Sequence, residues 1–233
     1  MSIAYSSQLV TNGLVFCADP ANPNSYTNPS SIMYDLVGNT TGGTISAATY
    51  SSLNNGGLVF NGSTASVIFP RTSAYEPATG ITLEASFYMT TKNAFNTIMS
   101  KPFNGPVWTT PYASYFLRVQ AASLQVGFNI NGTYTFFDDT FNYLINTFYH
   151  VTFTYASGSA KFYRNGVNVT TSAFTNGSIT YSTPPLIIGA DYGASPLGDW
   201  FTGRIYDVKV YNRDLTSSEI TQNYNAVRYR FGL

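Results

Sequence analysis

Charged side chains and cysteine are scarce in this 233-residue sequence. Only 9% of the residues are charged, and lysine plus arginine equal aspartate plus glutamate at 11 each, so the formal net charge is zero. This balance gives no electrostatic basis for binding nucleic acid or anionic lipid. Cys17 is the single cysteine, which excludes an intramolecular disulfide and a multi-cysteine metal site. We expect it to be a small apolar residue of a strand.

Long apolar runs are also missing. No stretch approaches the roughly 18 consecutive apolar residues that a transmembrane helix needs. The start, MSIAYSSQLVTNG, lacks a basic region followed by an apolar run, which is the pattern of a secretory signal. We therefore expect synthesis in the cytoplasm without a signal peptide, and no insertion into a membrane.

The sequence does contain stretches in which apolar and polar residues alternate with a period of two. In ITLEASFYMT the odd-numbered positions from Ile81 to Met89 are apolar and the even-numbered ones are mostly polar, which predicts a strand. Asn-Gly pairs follow two such stretches, and both positions of this tight hairpin turn need positive φ. About a dozen short strands at regular spacing predict one all-β domain over residues 1–233, an antiparallel two-sheet sandwich.

The closing segment predicts the one helix. In TSSE, Thr216 and Glu219 stand at the two positions of a capping box. Ile220, Tyr224 and Val227 then form one apolar stripe. A helix this short is marginal in water, so we expect it to pack on an edge or an end of the sandwich.

Five segments, taken in order, resemble the concanavalin A-like lectin/glucanase superfamily, specifically its laminin-G-like and pentraxin-like domains. They are GGLVFNG, GITLEASFYM, NTFYHVTFTYASGSAKFYRNGVNV, LIIGAD and FTGRIYDVKVYNRDLTSSEI. The resemblance implies a jelly-roll sandwich. The start SSQLVTNGLVFCADPANPNSY and the tail NYNAVRYRFGL also look like those of single-domain virion proteins of tailed bacteriophages.

Glycan-cleaving relatives place two Glu and one Asp on a single strand, and cleavage needs paired carboxylates. The chain has three glutamates, Glu76, Glu84 and Glu219, on separate segments, so no strand carries the pair. His150 is the only histidine, and no sequence motif provides a serine or cysteine nucleophile that it could activate as a base. We therefore expect a structural histidine and a protein that is not an enzyme.

Calcium is an open alternative. The resemblance implies one structural calcium near the final strands, where Asp207 matches a carboxylate position of the hydrolase branch. The alternative for Asp207 is a carboxylate that accepts from backbone amides. Asp191 and Asp199 flank the loop YGASPLG and are candidates for a second ion, because calcium prefers oxygen ligands; the alternative is a pair of solvated loop carboxylates. No other cofactor is expected.

The resemblance to lectins of this superfamily implies carbohydrate binding by aromatic rings of rim loops or the concave face, and exposed loop aromatics indicate binding better than strand aromatics do. The candidates are Trp108 with Tyr112, and Tyr192 with Trp200. The alternative is that each ring packs down to seal its own loop. The many strand tyrosines are assigned to sheet packing.

Two functions remain open. The first is a non-enzymatic virion structural protein on the particle surface of a tailed bacteriophage, such as a capsid decoration or cement protein. Its partners would be other virion proteins or copies of itself, since a neutral surface offers little repulsion between neighbours. The alternative is a lectin-like module that binds cell-surface glycans in host recognition. Neither function involves nucleic acid.

Overall fold

The computed structural model describes residues 8–105, 109–156, 158–173, 176–192 and 197–233. The described residues form two antiparallel sheets and a two-stranded ribbon. One short α-helix near the C-terminus completes them. The predicted jelly-roll sandwich with a closing helix is confirmed. In this part of the chain, no helix has the length and apolar character needed to span a membrane.

The strands follow one another along the whole described chain. In chain order they are β1 (Leu14–Ala18), β2 (Ile32–Met33), β3 (Gly43–Ser46), β4 (Thr49–Ser51), β5 (Gly57–Asn61), β6 (Ser66–Phe69), β7 (Gly80–Met89), β8 (Phe95–Pro102), β9 (Ala113–Gln120), β10 (Ser123–Ile130), β11 (Thr133–Asp138), β12 (Phe148–Ala156), β13 (Ser159–Arg164), β14 (Val167–Ala173), β15 (Leu186–Ile188), β16 (Asp191–Tyr192), β17 (Leu197–Gly198) and β18 (Thr202–Tyr211).

The two sheets interleave strands from distant parts of the sequence. The first sheet has the order β14-β13-β12-β7-β18-β5-β4, with β1 also paired to β18. The second sheet has the order β11-β10-β9-β8-β15-β6-β3-β2, and β16 pairs with β17 as the separate ribbon. Pairing between strands that are far apart in sequence, such as β7 and β18, brings together side chains from distant parts of the chain.

Aromatic side chains from the inner faces of both sheets fill the core. Phe128 of the second sheet lies 5.4 Å, ring centroid to centroid, from Phe153 of the first. At another point Phe16 meets Phe69 edge to face at 4.8 Å. Burying each such ring contributes about 2–3 kcal/mol, so these contacts hold the two layers together. Cys17 is buried in β1, as expected.

The helix α1 (Ser217–Val227) lies on the outer face of the first sheet. The predicted capping box forms: the Glu219 amide donates to the Thr216 hydroxyl, and the Glu219 carboxylate accepts from the Thr216 amide. Asn223 of the helix donates to Glu84 in the central strand β7 at 2.9 Å. The helix therefore covers a face, whereas the sequence predicted an edge or an end.

Because the helix covers it, β7 is buried on both faces, although its alternation is that of a half-buried strand. Thr82, Glu84 and Ser86, on the polar face, are all 0% exposed. Charge is buried in the second sheet as well. Lys101 of β8 is 0% exposed and donates to the Pro184 carbonyl at 2.7 Å.

Candidate functional site

A pocket that combines aromatic and polar side chains lies on the outer face of the second sheet. In β9, the side chains of Tyr115, Leu117 and Val119 belong to the core. Because side chains alternate along a strand, Phe116 and Arg118 point outward. The outward positions of β10 and β11 lie beside them, since Gln125 is paired with Arg118 and with Asp138.

We call this site the aromatic pocket. Its volume is about 300 Å³, at the lower end of the range for small-ligand sites. It is lined by Phe95, Tyr112, Phe116, Arg118, Gln120, Gln125, Tyr134, Phe136, Asp138 and Asp191. Half of these side chains are aromatic and the other half are polar or charged.

The aromatic rings form a continuous surface. Tyr134 lies at the middle, with ring centroids 5.2 Å from Tyr112, 6.4 Å from Phe116 and 6.3 Å from Phe136. Gly127 of β10 makes room for them, since a Cβ there would lie 2.3 Å from a ring atom of Phe116. Phe136 is 55% exposed, so part of this surface is open to a ligand.

A hydrogen-bond network centred on Arg118 forms the polar side of the pocket. Its Nε donates to Gln125 Oε1 at 2.9 Å and its Nη1 to Asp199 Oδ2 at 3.2 Å. Its Nη2 also reaches Gln125, at 2.6 Å, and Gln120, at 3.3 Å. Gln125 in turn donates to Asp138 Oδ1 at 2.9 Å. These amide and carboxylate groups are fixed in place before any ligand arrives.

Asp191 and Asp138 line the pocket in different environments. Asp191 is 2% exposed, and this burial raises the pKa of its carboxyl to about 7. Its Oδ1 accepts from the Tyr192 amide at 2.8 Å. Asp138 is exposed at the end of β11. The aromatic faces can pack against C–H surfaces, and the carboxyl and amide groups can bond hydroxyls, which is the chemistry of a polyhydroxylated ligand.

The structure brings one of the four predicted loop aromatics into this pocket. Tyr112 lines it. Tyr192 is half-buried next to Asp191 but is not part of the lining. Trp200 is also half-buried, and its carbonyl accepts from Asn93 at 3.5 Å. Trp108 lies outside the described residues.

Sequence reasoning missed most of the pocket, because it assigned the strand aromatics wholly to sheet packing. Phe116, Tyr134 and Phe136 sit on strands but point away from the core. A signal for them exists in TYTFFD, where Tyr134, Phe136 and Asp138 share one face of β11. The neighbouring Gly127 is the second signal, because a glycine between outward aromatics leaves room for their rings.

The predicted calcium positions are engaged by protein donors. Asp207 forms an ion pair with Lys209. We expected Asp207 to be either a calcium ligand or an acceptor for backbone amides, and neither role includes a lysine partner. Asp199 accepts from Arg118, and Asp191 accepts from the Tyr192 amide. Among the described residues, no group of three or more His, Cys, Asp or Glu side chains could hold a metal ion. Calcium binding at these positions stays a prediction.

A second cluster of ionisable groups lies beneath α1, where the sequence showed only an isolated Glu84. The Glu84 carboxylate lies 2.9 Å from Lys209 Nζ and 3.3 Å from His150 Nε2. Burial alone would raise the pKa of Glu84, but Lys209, His150 and Asn223 outweigh it and hold that pKa well below its usual range. All of these groups are at most 2% exposed. We call this set, with Asp207, the buried ion cluster; it has no access for a substrate and is structural.

Comparison with known protein families fits this architecture. A laminin-G family model, described as the concanavalin A-like lectin/glucanases superfamily, matches residues 61–221. The chain belongs to this superfamily. A search of curated protein sequences gives no significant match. Members of the superfamily share the two-sheet jelly roll that the described residues form.

Several solved structures share the superfamily fold. Domain 4 of an extracellular arabinanase from Geobacillus stearothermophilus, in complex with arabinotriose, is similar with a TM-score of 0.64 and 15% identity, over 91% of this chain and 98% of that one. The binding domain of Paraclostridial mosquitocidal protein 1 gives 0.69 and 14%, over 92% and 52%. Trypanosoma rangeli sialidase gives 0.64 and 17%, over 95% and 33%. The chain thus spans about half of the mosquitocidal binding domain, and identities this low show the fold alone.

Proposed function

We propose that the protein is a non-enzymatic, lectin-like module that binds carbohydrate in the aromatic pocket. The observation that carries the proposal is the pairing of two features in one pocket of about 300 Å³. A continuous aromatic surface centred on Tyr134 lies beside the fixed polar groups of Arg118, Gln125 and Asp138 on the same face of the sheet. Stacked rings with oriented hydrogen-bonding groups suit a sugar, which presents C–H faces and hydroxyl edges.

The similar structures support binding as the function. One is an arabinanase domain in complex with arabinotriose, and others are the binding domains of a mosquitocidal protein and of botulinum neurotoxins. Trypanosoma rangeli sialidase is an enzyme with a region of the same fold. A shared fold does not fix a function, so the proposal depends on the pocket.

Binding without cleavage is proposed because each carboxyl group of the lining already accepts a hydrogen bond from the protein. Glycoside cleavage needs one carboxylic acid and one carboxylate on opposite sides of the scissile bond. Asp191 is almost fully buried and accepts from a backbone amide, while Asp138 accepts from Gln125. Assays for new reducing ends on plant and bacterial polysaccharides should find none; turnover that Asp191→Asn abolishes would make the protein a hydrolase.

The test of sugar binding compares two pocket variants with a matched control on a glycan array, followed by calorimetry on the strongest hit. Phe136→Ala and Tyr112→Ala each remove one ring of the aromatic surface. Losing a stacked ring costs about 1–2 kcal/mol, so we expect roughly tenfold weaker binding for each.

The matched control is Tyr229→Ala, because Tyr229 is an aromatic residue of similar exposure, 64%, in the C-terminal segment after α1. It should bind like the unchanged protein. If no glycan binds the unchanged protein, or if the control loses as much affinity as the pocket variants, carbohydrate binding in this pocket is wrong.

The virion-surface location, and partners among virion proteins or other copies of the chain, stay predictions. A decoration protein can also bind glycans, so the two functions are compatible. Electron microscopy of particles labelled with antibody against the protein would test the location directly.

A further inference from the structure

We infer that the aromatic pocket selects uncharged glycans and excludes acidic ones, such as those that carry sialic acid, uronic acid or sulfate. The inference rests on the proposed carbohydrate binding and adds the chemical class of the ligand. Its basis is an excess of carboxyl groups around the pocket together with Arg118, whose three guanidinium nitrogens all donate hydrogen bonds within the protein.

Among the described residues that line the pocket, Arg118 is the only cation. Its guanidinium has no free nitrogen: Nε and Nη2 donate to Gln125, and Nη1 donates to Asp199. The side chain is only 7% exposed. The guanidinium carbon also lies 4.3 Å from the ring centroids of both Phe95 and Phe116.

Because the guanidinium is held in this way, it cannot offer the bidentate pair of N–H donors with which arginine recognises a carboxylate. To bind an acidic sugar there, Arg118 would have to break bonds to Gln125 or Asp199 and leave a buried acceptor unsatisfied.

The carboxyl groups add repulsion. Asp199 balances the charge of Arg118. This leaves the exposed carboxylate of Asp138 as the main acidic group of the lining, with the nearly buried carboxyl of Asp191 as the second. No lysine compensates for them, since the described lining contains none. The residues outside the described ranges, MSIAYSS, PVW, S, FT and GASP, contain no lysine or arginine either. An anionic ligand therefore meets negative charge with no free cation.

An uncharged sugar can form hydrogen bonds and ring contacts in the pocket without this charge repulsion. Carboxylate oxygens of Asp138 accept hydrogen bonds from hydroxyls, and charge-assisted bonds of this kind are stronger than neutral ones. The aromatic surface of Tyr112, Tyr134 and Phe136 packs against the sugar ring without regard to charge.

The experiment is a glycan array in which each neutral glycan is printed beside the same glycan carrying sialic acid, uronic acid or sulfate. The strongest pair is then measured by calorimetry at pH 7.5. We expect the neutral member to bind at least tenfold more tightly than its acidic partner. Asp138→Asn keeps the oxygen that accepts from Gln125 but removes the charge, so the difference should shrink severalfold. The control Asp214→Asn, at an exposed aspartate beside α1, should leave the difference unchanged.

The possible failures are distinguishable. If acidic glycans bind as tightly as neutral ones or more tightly, the inference is wrong while carbohydrate binding stands. If the preference for neutral glycans persists undiminished in Asp138→Asn, the assignment of exclusion to these carboxyl groups is wrong. If no glycan of either class binds, the proposed function fails and the inference fails with it.

Discussion

Asp191 is the pocket residue whose charge depends most on its surroundings. Burial raises its pKa to about 7, whereas an aspartate in an unfolded chain has a pKa of about 3.9. Between these two values the folded protein keeps a proton that the unfolded chain has released. Stability must therefore fall as pH rises through this window, because ionising Asp191 in its buried position is unfavourable.

The substitution Asp191→Asn tests this directly, since asparagine keeps the oxygen that accepts from the Tyr192 amide and cannot ionise. The variant should be more stable than the unchanged protein at pH 8, by up to about 4 kcal/mol for a shift of this size. The advantage should vanish near pH 4. Urea unfolding at pH 4, 6 and 8 measures it. An advantage that is the same at all three values would contradict the raised pKa, and the exposed Asp214→Asn is the control.

At the scale of single residues, the sequence predicted little of the pocket. It predicted Tyr112 from its loop, and the structure places that ring in the lining. It could not predict that Phe116 and Phe136 face outward together, because alternation defines two faces of a strand but does not say which one meets the core. Arg118 was missed for the same reason.

At the scale of elements, a local sequence pattern predicts the helix α1 but not its position in the fold. The capping box and the apolar stripe predicted the helix correctly. Its position over the buried ion cluster depends on the register of three strands, which pairs Glu84 with Lys209 and Ser86 with His150. That register is set by long-range packing, so a single sequence without its fold does not reveal the cluster.

Asn223 links the helix to this cluster, and removing it should destabilise the fold. Its Nδ2 donates to Glu84 Oε2 and to the Tyr211 hydroxyl, each at 2.9 Å, and its Oδ1 accepts from the Val10 amide. Asn223→Ala leaves a buried charge without one of its donors, which costs about 2–4 kcal/mol. Chemical denaturation followed by tryptophan fluorescence measures the loss.

The matched control is Asn225→Ala, two residues along the same helix, where the side chain is only partly buried. It should change stability by less than about 0.5 kcal/mol. Equal effects at the two positions would mean that Asn223 acts through helix propensity and not through Glu84.

At the scale of the whole molecule, two groups of acids act in opposite directions on stability. Burial raises the pKa of one group, and it does so for Asp199 although Arg118 lies 3.2 Å away. In the other group, hydrogen bonds or nearby cations outweigh burial and lower the pKa. The raised group is Asp19, Asp139, Asp191 and Asp199; the lowered group is Glu84, Asp207 and Glu219.

These shifts predict a stability maximum near pH 4–5. The raised group loses stability as pH rises from about 4 towards 7, while the lowered group loses it as pH falls below about 4. The midpoint of thermal unfolding at pH 8 should lie on the order of 5–10 °C below its maximum. Calorimetry in steps from pH 2 to 9 measures the profile, and a maximum at pH 7 or above would contradict it.

The fold class was predictable at this scale because period-two alternation, turn pairs and the capping box all agree. The extent of the domain over residues 1–233 stays a prediction, since the family model matches residues 61–221. Function was less predictable. Composition indicated a surface with few charges. The grouping of pocket residues from five strands and the loop before β9 exists only once those strands have assembled.

Burial of lysine has a practical consequence for measuring binding. Of the four lysines in the sequence, Lys101 and Lys209 are sealed inside the molecule at 0% and 2% exposure. Among the lysines, amine chemistry that fixes the protein to a sensor chip can thus react with Lys92 and Lys161. Neither Lys92 nor Lys161 lines the aromatic pocket, and Lys161 lies on the opposite sheet. Coupling through these two lysines should leave the aromatic pocket accessible to analyte.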